Sequence, residues 1–460
     1  MTAFTSEAAG CSRRRFLAAS AAGTVGMVGV VAAACGPEGS GPGDTSPPPS
    51  GERVTIEHYV YVDQAQLERT QALWARFNEL HPNIRVEHLP AVGGELEKSQ
   101  KMQTLVAGGT PPAVVGQIVA QYPSYYVLTG TIEPIDALMT ADKLDRRRFS
   151  TVAIDTFKYK GAQYALPYGA SMEVLAYNKE LFDRQGVKRP PSTWDDPTWT
   201  HDEFIRRAQA LTKAPEGAPE QFGFGRPGAG WTGVPLLWGT EWVSEDLSRY
   251  LGTTPAVIAS IQARQDYVWK HHIAPQPSEG SLFGALSSSQ RFLTGKVAMA
   301  DLGTWYLLRW MKDATFDWDI APWPRGSSAQ AAAPMFPVGE ALGKGTMYRQ
   351  QAWELIKYFT YRPESNLEYA FLRGAGPALV SNLPAWRTQL TKEKAGVSAQ
   401  VAADLVAKYG RVARLHFVAR YTEVTSQHIG PAVTKVENNE MPAKAALEQV
   451  GPQVQQLLGG

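Results

Sequence analysis

The sequence predicts an α/β protein divided into two lobes. Three observations carry that reading. The chain has 460 residues, and single hydrophobic cores stop growing near ~250–300 residues, so a chain of this length divides. Strand-like and helix-like segments alternate along most of it, as parallel sheets with crossover helices require. No internal repeat at solenoid periods is present, which sets aside a stacked array.

The elements follow in order. Ser12-Arg13-Arg14-Arg15-Phe16-Leu17 precedes nineteen uncharged residues, Phe16 to Ala34, that end in Ala32-Ala33-Ala34-Cys35. Paired arginines before a modestly apolar, Gly/Ala-rich stretch read as a twin-arginine export signal over 1–34. Cys35 behind three small residues reads as the lipidated first residue of the mature chain; an uncleaved transmembrane anchor is the alternative. Either reading puts the remainder outside the cytoplasm. From Gly36 to Gly51, thirteen of sixteen residues are Gly, Pro or Ser. Such a run buries too little apolar surface to offset its entropy, so 35–51 is expected to be a disordered tether.

Arg53 to Val60 alternates apolar and polar, as a half-buried strand does. Asp63 can cap the next helix, whose Leu67, Thr70, Trp74, Phe77 and His81 share one face. Pro82 ends that helix, and Ile84-Arg85-Val86 starts a second strand. Farther on, Thr200-His201-Asp202-Glu203 is a capping box. Thr254-Pro255 opens a helix carrying Val257, Ile261 and Val268 on one side. Gln351 to Tyr361 reads as another amphipathic helix, ending before Pro363.

Composition excludes several classes. Basic and acidic side chains number 45 and 44, whereas a nucleic-acid binder needs a basic face. The two cysteines, Cys11 and Cys35, leave the rest of the chain without a disulfide or thiolate metal site. Gly223-Phe224-Gly225-Arg226-Pro227-Gly228 has dinucleotide-binding spacing, but Pro227 would sit inside the helix that must open there. Gly343-Lys344-Gly345-Thr346 lacks the first glycine of a phosphate loop. Adjacent His271 and His272 point ~100° apart on a helix and do not share an ion easily. No Gly-x-Ser-x-Gly elbow occurs. Glu173, Asp301 and Glu340 are the carboxylates from which a hydrolase pair would have to be drawn. No metal, cofactor or catalytic residue is expected.

Aromatic residues are the informative excess. Ten of the thirteen tryptophans lie between Trp194 and Trp323. Trp offers a flat apolar face and one donor, which suits a ligand carrying hydroxyls. Trp269 and Trp310 sit in helix-like patterns and are expected in the core. Trp238, Trp242 and Trp305 follow Gly- and Pro-rich segments and are expected on a cleft wall.

Four stretches then resemble the family 1 extracellular solute-binding proteins of ABC importers, the group that includes maltose- and glycerol-3-phosphate-binding proteins. They are Phe77 to Val86; Leu105-Val106-Ala107-Gly108-Gly109-Thr110-Pro111-Pro112; Tyr164 to Pro167 with Leu175 to Phe182; and Phe292 to Met299 with Gly303-Thr304-Trp305. Order and spacing agree from about residue 54 to the late 370s. The resemblance implies a periplasmic-binding-protein-like fold with hinge strands and a central ligand cleft. Lobe one would be 52–166 plus 325–365, and lobe two 167–324 plus 366–460. Ligand contacts would come from Asp63, Gln64, Tyr168, Ser171, Glu173, Thr304, Trp305, Met335, Phe336 and Gly339, with Trp238 and Trp242 added by the aromatic argument. The implied protein is a monomeric receptor, lipid-anchored at the outer face of the cytoplasmic membrane, that hands a sugar or related small polar solute to ABC permease subunits. A receptor for glycerol-3-phosphate or a glycerophosphodiester and an exported glycan-cleaving enzyme are the alternatives.

Overall fold

Val54–Val60 is the first strand of the sheet, and its two neighbours lie parallel to it. Ile84–Pro90 pairs along its whole length, Val54 opposite Ile84, and Val114–Val119 pairs on the other side. Helices Gln64–Leu80 and Glu95–Ala107 make the crossovers. This is the strand–helix–strand order read from the sequence, in a computed structural model that describes residues 53–213, 220–225, 230–276, 286, 288–327 and 331–459. The expected signal (1–34), Cys35, the tether (35–51) and Arg226-Pro227-Gly228 lie outside those residues. Among the described residues no helix is long and apolar enough to cross a membrane.

Beyond Val114–Val119 the sheet turns antiparallel. Ala333–Gly343 pairs with Val114–Val119 on one side and with Ala165–Asn178 on the other. Ala165–Asn178 continues the sheet to Val297–Gly303, with Glu173 opposite Gly303, and to Trp318–Ala321. Phe222–Phe224 closes that edge, parallel to Val297–Gly303. Both long strands are buried at every position, which explains their near-continuous apolar sequences.

These two strands join the hydrophobic interiors. Leu166, Tyr168, Val338 and Leu342 belong to one cluster with Ile56, Phe77 and Trp353. Ala170, Met172, Val174, Ala333 and Met335 belong to another with Phe204, Trp310 and Trp318. Tyr369, Ala370, Leu372, Ala375, Ala378 and Leu379 lie in the first of these clusters, whereas Leu383 to Val406 contribute to the second. A third cluster joins Trp242, Val257 and Ile261 to the C-terminal helices Gly430–Glu437 and Ala443–Leu458.

Local signals work as physics requires, with two exceptions at helix starts: Thr254 opens Pro255–Trp269 without a side-chain cap bond, its hydroxyl donating back to Leu251 O, and the box at Thr200 is half-formed. The first helix buries Thr70, Trp74 and Phe77 and ends at Leu80, before Pro82. The helix predicted at Gln351 to Tyr361 is Arg349–Thr360. Thr200 accepts a hydrogen bond from the Glu203 N–H, but Glu203 does not reach back. Its carboxylate is held by Arg206 and Arg207 instead, because charge-assisted bonds outcompete a neutral backbone donor.

Candidate functional site

A cavity of about 710 Å³ opens where the two long strands pass between the clusters. One wall comes from Glu95, Gln117, Val119, Gln121 and Tyr122, at the helix start and strand end of the first lobe's βαβ units. Its floor is Tyr168, Ser171 and Glu173 of one long strand, with Phe336 and Val338 of the other. Trp305, the Gly230-Trp231-Thr232 loop and a C-terminal segment with Tyr421, Thr425 and Ser426 complete it.

Five of the expected residues therefore meet here: Tyr168, Ser171, Glu173, Trp305 and Phe336. The others fall elsewhere for reasons that can be named. Thr304 is buried, and its hydroxyl accepts the Met172 N–H at 3.1 Å, so it ties the Trp305 turn to the long strand. Met335 and Gly339 are off the cavity because side chains alternate along a strand, and Phe336 and Val338 take the cavity face. Met335 instead packs in the second cluster, and Gly339 lies against Leu166 O and the Phe157 ring. Trp242, placed on the cleft wall by sequence, is fully buried in the third cluster and donates to Thr232 O. Trp238 is buried too, lining a small adjoining cavity of about 30 Å³ with Glu173, Phe224, Tyr267 and Trp323. Asp63 and Gln64 stand exposed at the start of the first helix, outside the lining of the large cavity. Trp310 is in the core as expected, stacked on Phe292, while Trp269 is half-buried and donates to Glu437 O.

The cavity is rich in ring faces. Trp305 is 42% exposed, the most accessible tryptophan ring of the site. Gly303 permits this placement, since a Cβ there would sit 2.2 Å from the indole. From Trp305 the rings continue to Phe336 (6.1 Å between centroids), His416 (6.0 Å), Tyr421 (5.4 Å) and Tyr122 (5.9 Å). Burial pushes the His416 imidazole down to about 3, so this line is neutral at physiological pH.

The polar groups of the lining are under-satisfied. Gln117 Oε1 and Gln121 Oε1 are buried oxygens without a hydrogen-bond partner among the described residues. Arg373 is buried, with one terminal nitrogen on Tyr61 O (2.8 Å) and the other on the Tyr369 hydroxyl (3.3 Å), while its Nε has no partner among the described residues. The Glu173 carboxyl lies against Gly230, where a Cβ would come within 2.4 Å of both oxygens. Burial, then the neighbouring Asp301, hold its pKa well above the usual carboxylate range against the pull of Arg264.

Sequence reading missed Glu95, Gln117, Gln121, Tyr122, Trp231, Thr232 and the whole C-terminal contribution, while Arg373, the cation that an anionic solute would need on the sequence reading, does line the cavity. One signal was available: Gly116-Gln117 interrupts the apolar run Val114–Val119, and a glycine inside a strand marks a bulge. The C-terminal residues gave none. Thr425 and Ser426 sit on a π-helical turn, Val424–Ile429, that directly follows the short helix Tyr421–Glu423 carrying Tyr421; such a local widening has no sequence period of its own and is frequent at functional sites.

Comparison with known proteins identifies the family and the fold. The sequence pattern described as "bacterial extracellular solute-binding protein" matches residues 72–393. The maltotriose-binding protein of Pyrococcus abyssi is 23% identical over 335 residues, covering 71% of this chain but 66% of that protein, just under two thirds of its length. Among solved structures, an ABC substrate-binding protein of Listeria monocytogenes in complex with cycloalternan superposes with a TM-score of 0.74 at 21% identity, over 89% of this chain and 100% of the other. The glycerophosphocholine complex of UgpB from Mycobacterium tuberculosis gives 0.73 at 20% identity, over 89% and 99%. The fold is thus the two-lobed one of these binding proteins, and with a pattern match spanning well over half of its residues the chain belongs to the family of bacterial extracellular solute-binding proteins.

Proposed function

We propose that this protein is the solute receptor of an ABC importer and that its solute is a sugar or short oligosaccharide. The observation that carries the reading is the conjunction inside one cavity: the rings of Trp305, Phe336, Tyr421 and Tyr122 line it beside polar atoms that have no partner among the described residues. A buried amide or guanidinium without a partner costs ~1–3 kcal/mol, and a hydroxyl-rich guest recovers that cost when it binds. Pyranose rings present apolar C–H faces to aromatics and hydroxyls to amides, so one guest satisfies both. Micromolar affinity needs only about −8 kcal/mol, within reach of a few such contacts. The relatives named for maltotriose and cycloalternan support this class of solute.

In this reading lobe one is 52–166 plus 325–365 and lobe two is 167–324 plus 366–460, save that Tyr369, Ala370, Leu372, Ala375, Ala378 and Leu379 pack in the interior of the first, with closure about the long strands as a population shift. The receptor works as a monomer on the outer face of the cytoplasmic membrane, held by lipid on Cys35 and presented to permease subunits. Titration calorimetry of residues 36–460 against maltose, maltotriose, mannobiose, mannitol and glycerophosphocholine tests it. A neutral sugar should bind with an affinity that salt leaves unchanged; absence of heat with every sugar would sink the reading.

A second reading has its own observation. Arg373 brings a buried cation with a free Nε to the cavity, as a phosphodiester would require. Glycerophosphocholine binding that weakens with rising salt would favour that solute. An exported glycan-cleaving enzyme would instead release product on long incubation.

A further inference from the structure

We infer that Lys98 is a positioning residue of the solute cavity, setting the place of both Glu95 and Gln117 in its wall. The inference rests on the receptor reading and deepens it. Lys98 is 2% exposed, and its ammonium donates to Glu95 Oε1 (3.1 Å), Gly116 O (2.7 Å) and Gln117 O (2.9 Å). All three N–H groups of the ammonium are thus used. A leucine would fill this volume without the desolvation cost of a charge. The ammonium therefore does something that packing alone does not.

That something is visible in the backbone. Successive carbonyls of a regular strand point to opposite sides, yet one ammonium here collects two consecutive ones. Gly339 pairs with Ile118 and Ala341 with Val115, so Gly116 and Gln117 together stand opposite Glu340 alone, a β-bulge. Gln117 sits there at φ 57°, in the left-handed region that its side chain disfavours. Bulges re-aim side chains next to functional sites, and this one delivers the Gln117 amide to the cavity. From the other side the bulge is braced by Glu340, which accepts the Gln117 N–H at 3.4 Å. Glu340 is in turn fixed by His58 at 2.8 Å and by the Tyr369 hydroxyl at 3.1 Å. Gly116 admits no side chain, because a Cβ would lie 2.3 Å from His58 Nε2 and 2.8 Å from Glu340 Oε2. Glu95, the second group on the ammonium, is itself part of the lining and takes the Tyr126 hydroxyl on its other oxygen.

The test uses the soluble chain with maltotriose, mannobiose, mannitol and glycerophosphocholine as probes, read by calorimetry and thermal melting. Gln117→Gly should bind its solute about tenfold more weakly or worse, while melting no lower than the parent, because glycine takes this φ without strain. Lys98→Gln should weaken binding by about fivefold or more, and the double variant should lose less than the product of the two losses. Parental affinity in either single variant, affinity and melting temperature of Gln117→Gly falling together, or fully multiplicative losses would each overturn the inference. If Lys98→Gln does not fold, the paired affinity and melting readings of Gln117→Gly decide it. A parent that binds none of the probes overturns the receptor reading and this inference with it. A parent that binds while the variants bind equally well overturns the inference alone.

Discussion

Trp305 is held face-out by the absence of a side chain at Gly303, and an exposed indole beside a polar cavity is where stacking energy concentrates. Trp305→Ala should weaken solute binding by more than ~1 kcal/mol by calorimetry; unchanged affinity would remove the ring from the site. Gly230 makes the opposite demand. Gly230→Ala drives a methyl group into the Glu173 carboxylate, so binding should fall while circular dichroism at 25 °C stays that of the parent. Glu241 offers a readout independent of any solute. Burial pushes its carboxyl up to about 7, against the opposing hydrogen bond from the Arg414 N–H. The folded state therefore holds this proton more tightly than the unfolded chain, whose value is near 4.5. Stability is fully present below about 4.5 and is lost as pH rises toward and through 7. Glu241→Gln, which keeps the acceptor, should equal the parent at pH 4 and exceed it in urea melts at pH 8.

Elements whose identity rests on local chemistry were legible. The first crossover unit needs only an alternating strand, a helix with Trp74 and Phe77 on one face, and a proline stop, and the structure has all three. The Thr200 cap was legible for the same reason, and Thr200→Ala should cost about 1 kcal/mol in a denaturant melt. What required the partner element was not legible. Which side of Ala333–Gly343 faces the cavity depends on a register that shifts twice against its neighbours, so Met335 and Gly339 could not be told from Phe336 and Val338. Trp242 shows the same limit, since most of its cluster lies in the C-terminal helical segments, from Leu415 onward.

At the scale of the whole molecule, motif resemblance pointed to Tyr168, Ser171, Glu173, Trp305 and Phe336 of the candidate cavity but not to its far wall. Tyr421, Thr425 and Ser426 lie beyond residue 393, where the family pattern stops. Solutes that differ at the end nearest that wall should be told apart by this protein in its own way. Exchanging Thr425 and Ser426 for alanine should alter the ranking of maltose against maltotriose more than the strength of either, as paired titrations would reveal.

Ala165–Asn178 runs through both interiors, buried at each of its 14 positions, with a bulge at Tyr168. Because neighbouring side chains beyond that bulge point to opposite faces, one extra codon between Gly169 and Ser171 would turn Ser171 and Glu173 away from the cavity and swing Met172 and Val174 toward it. In that segment the gene can change letters but not length, so indels accumulated over its history should be confined to the loops on either side.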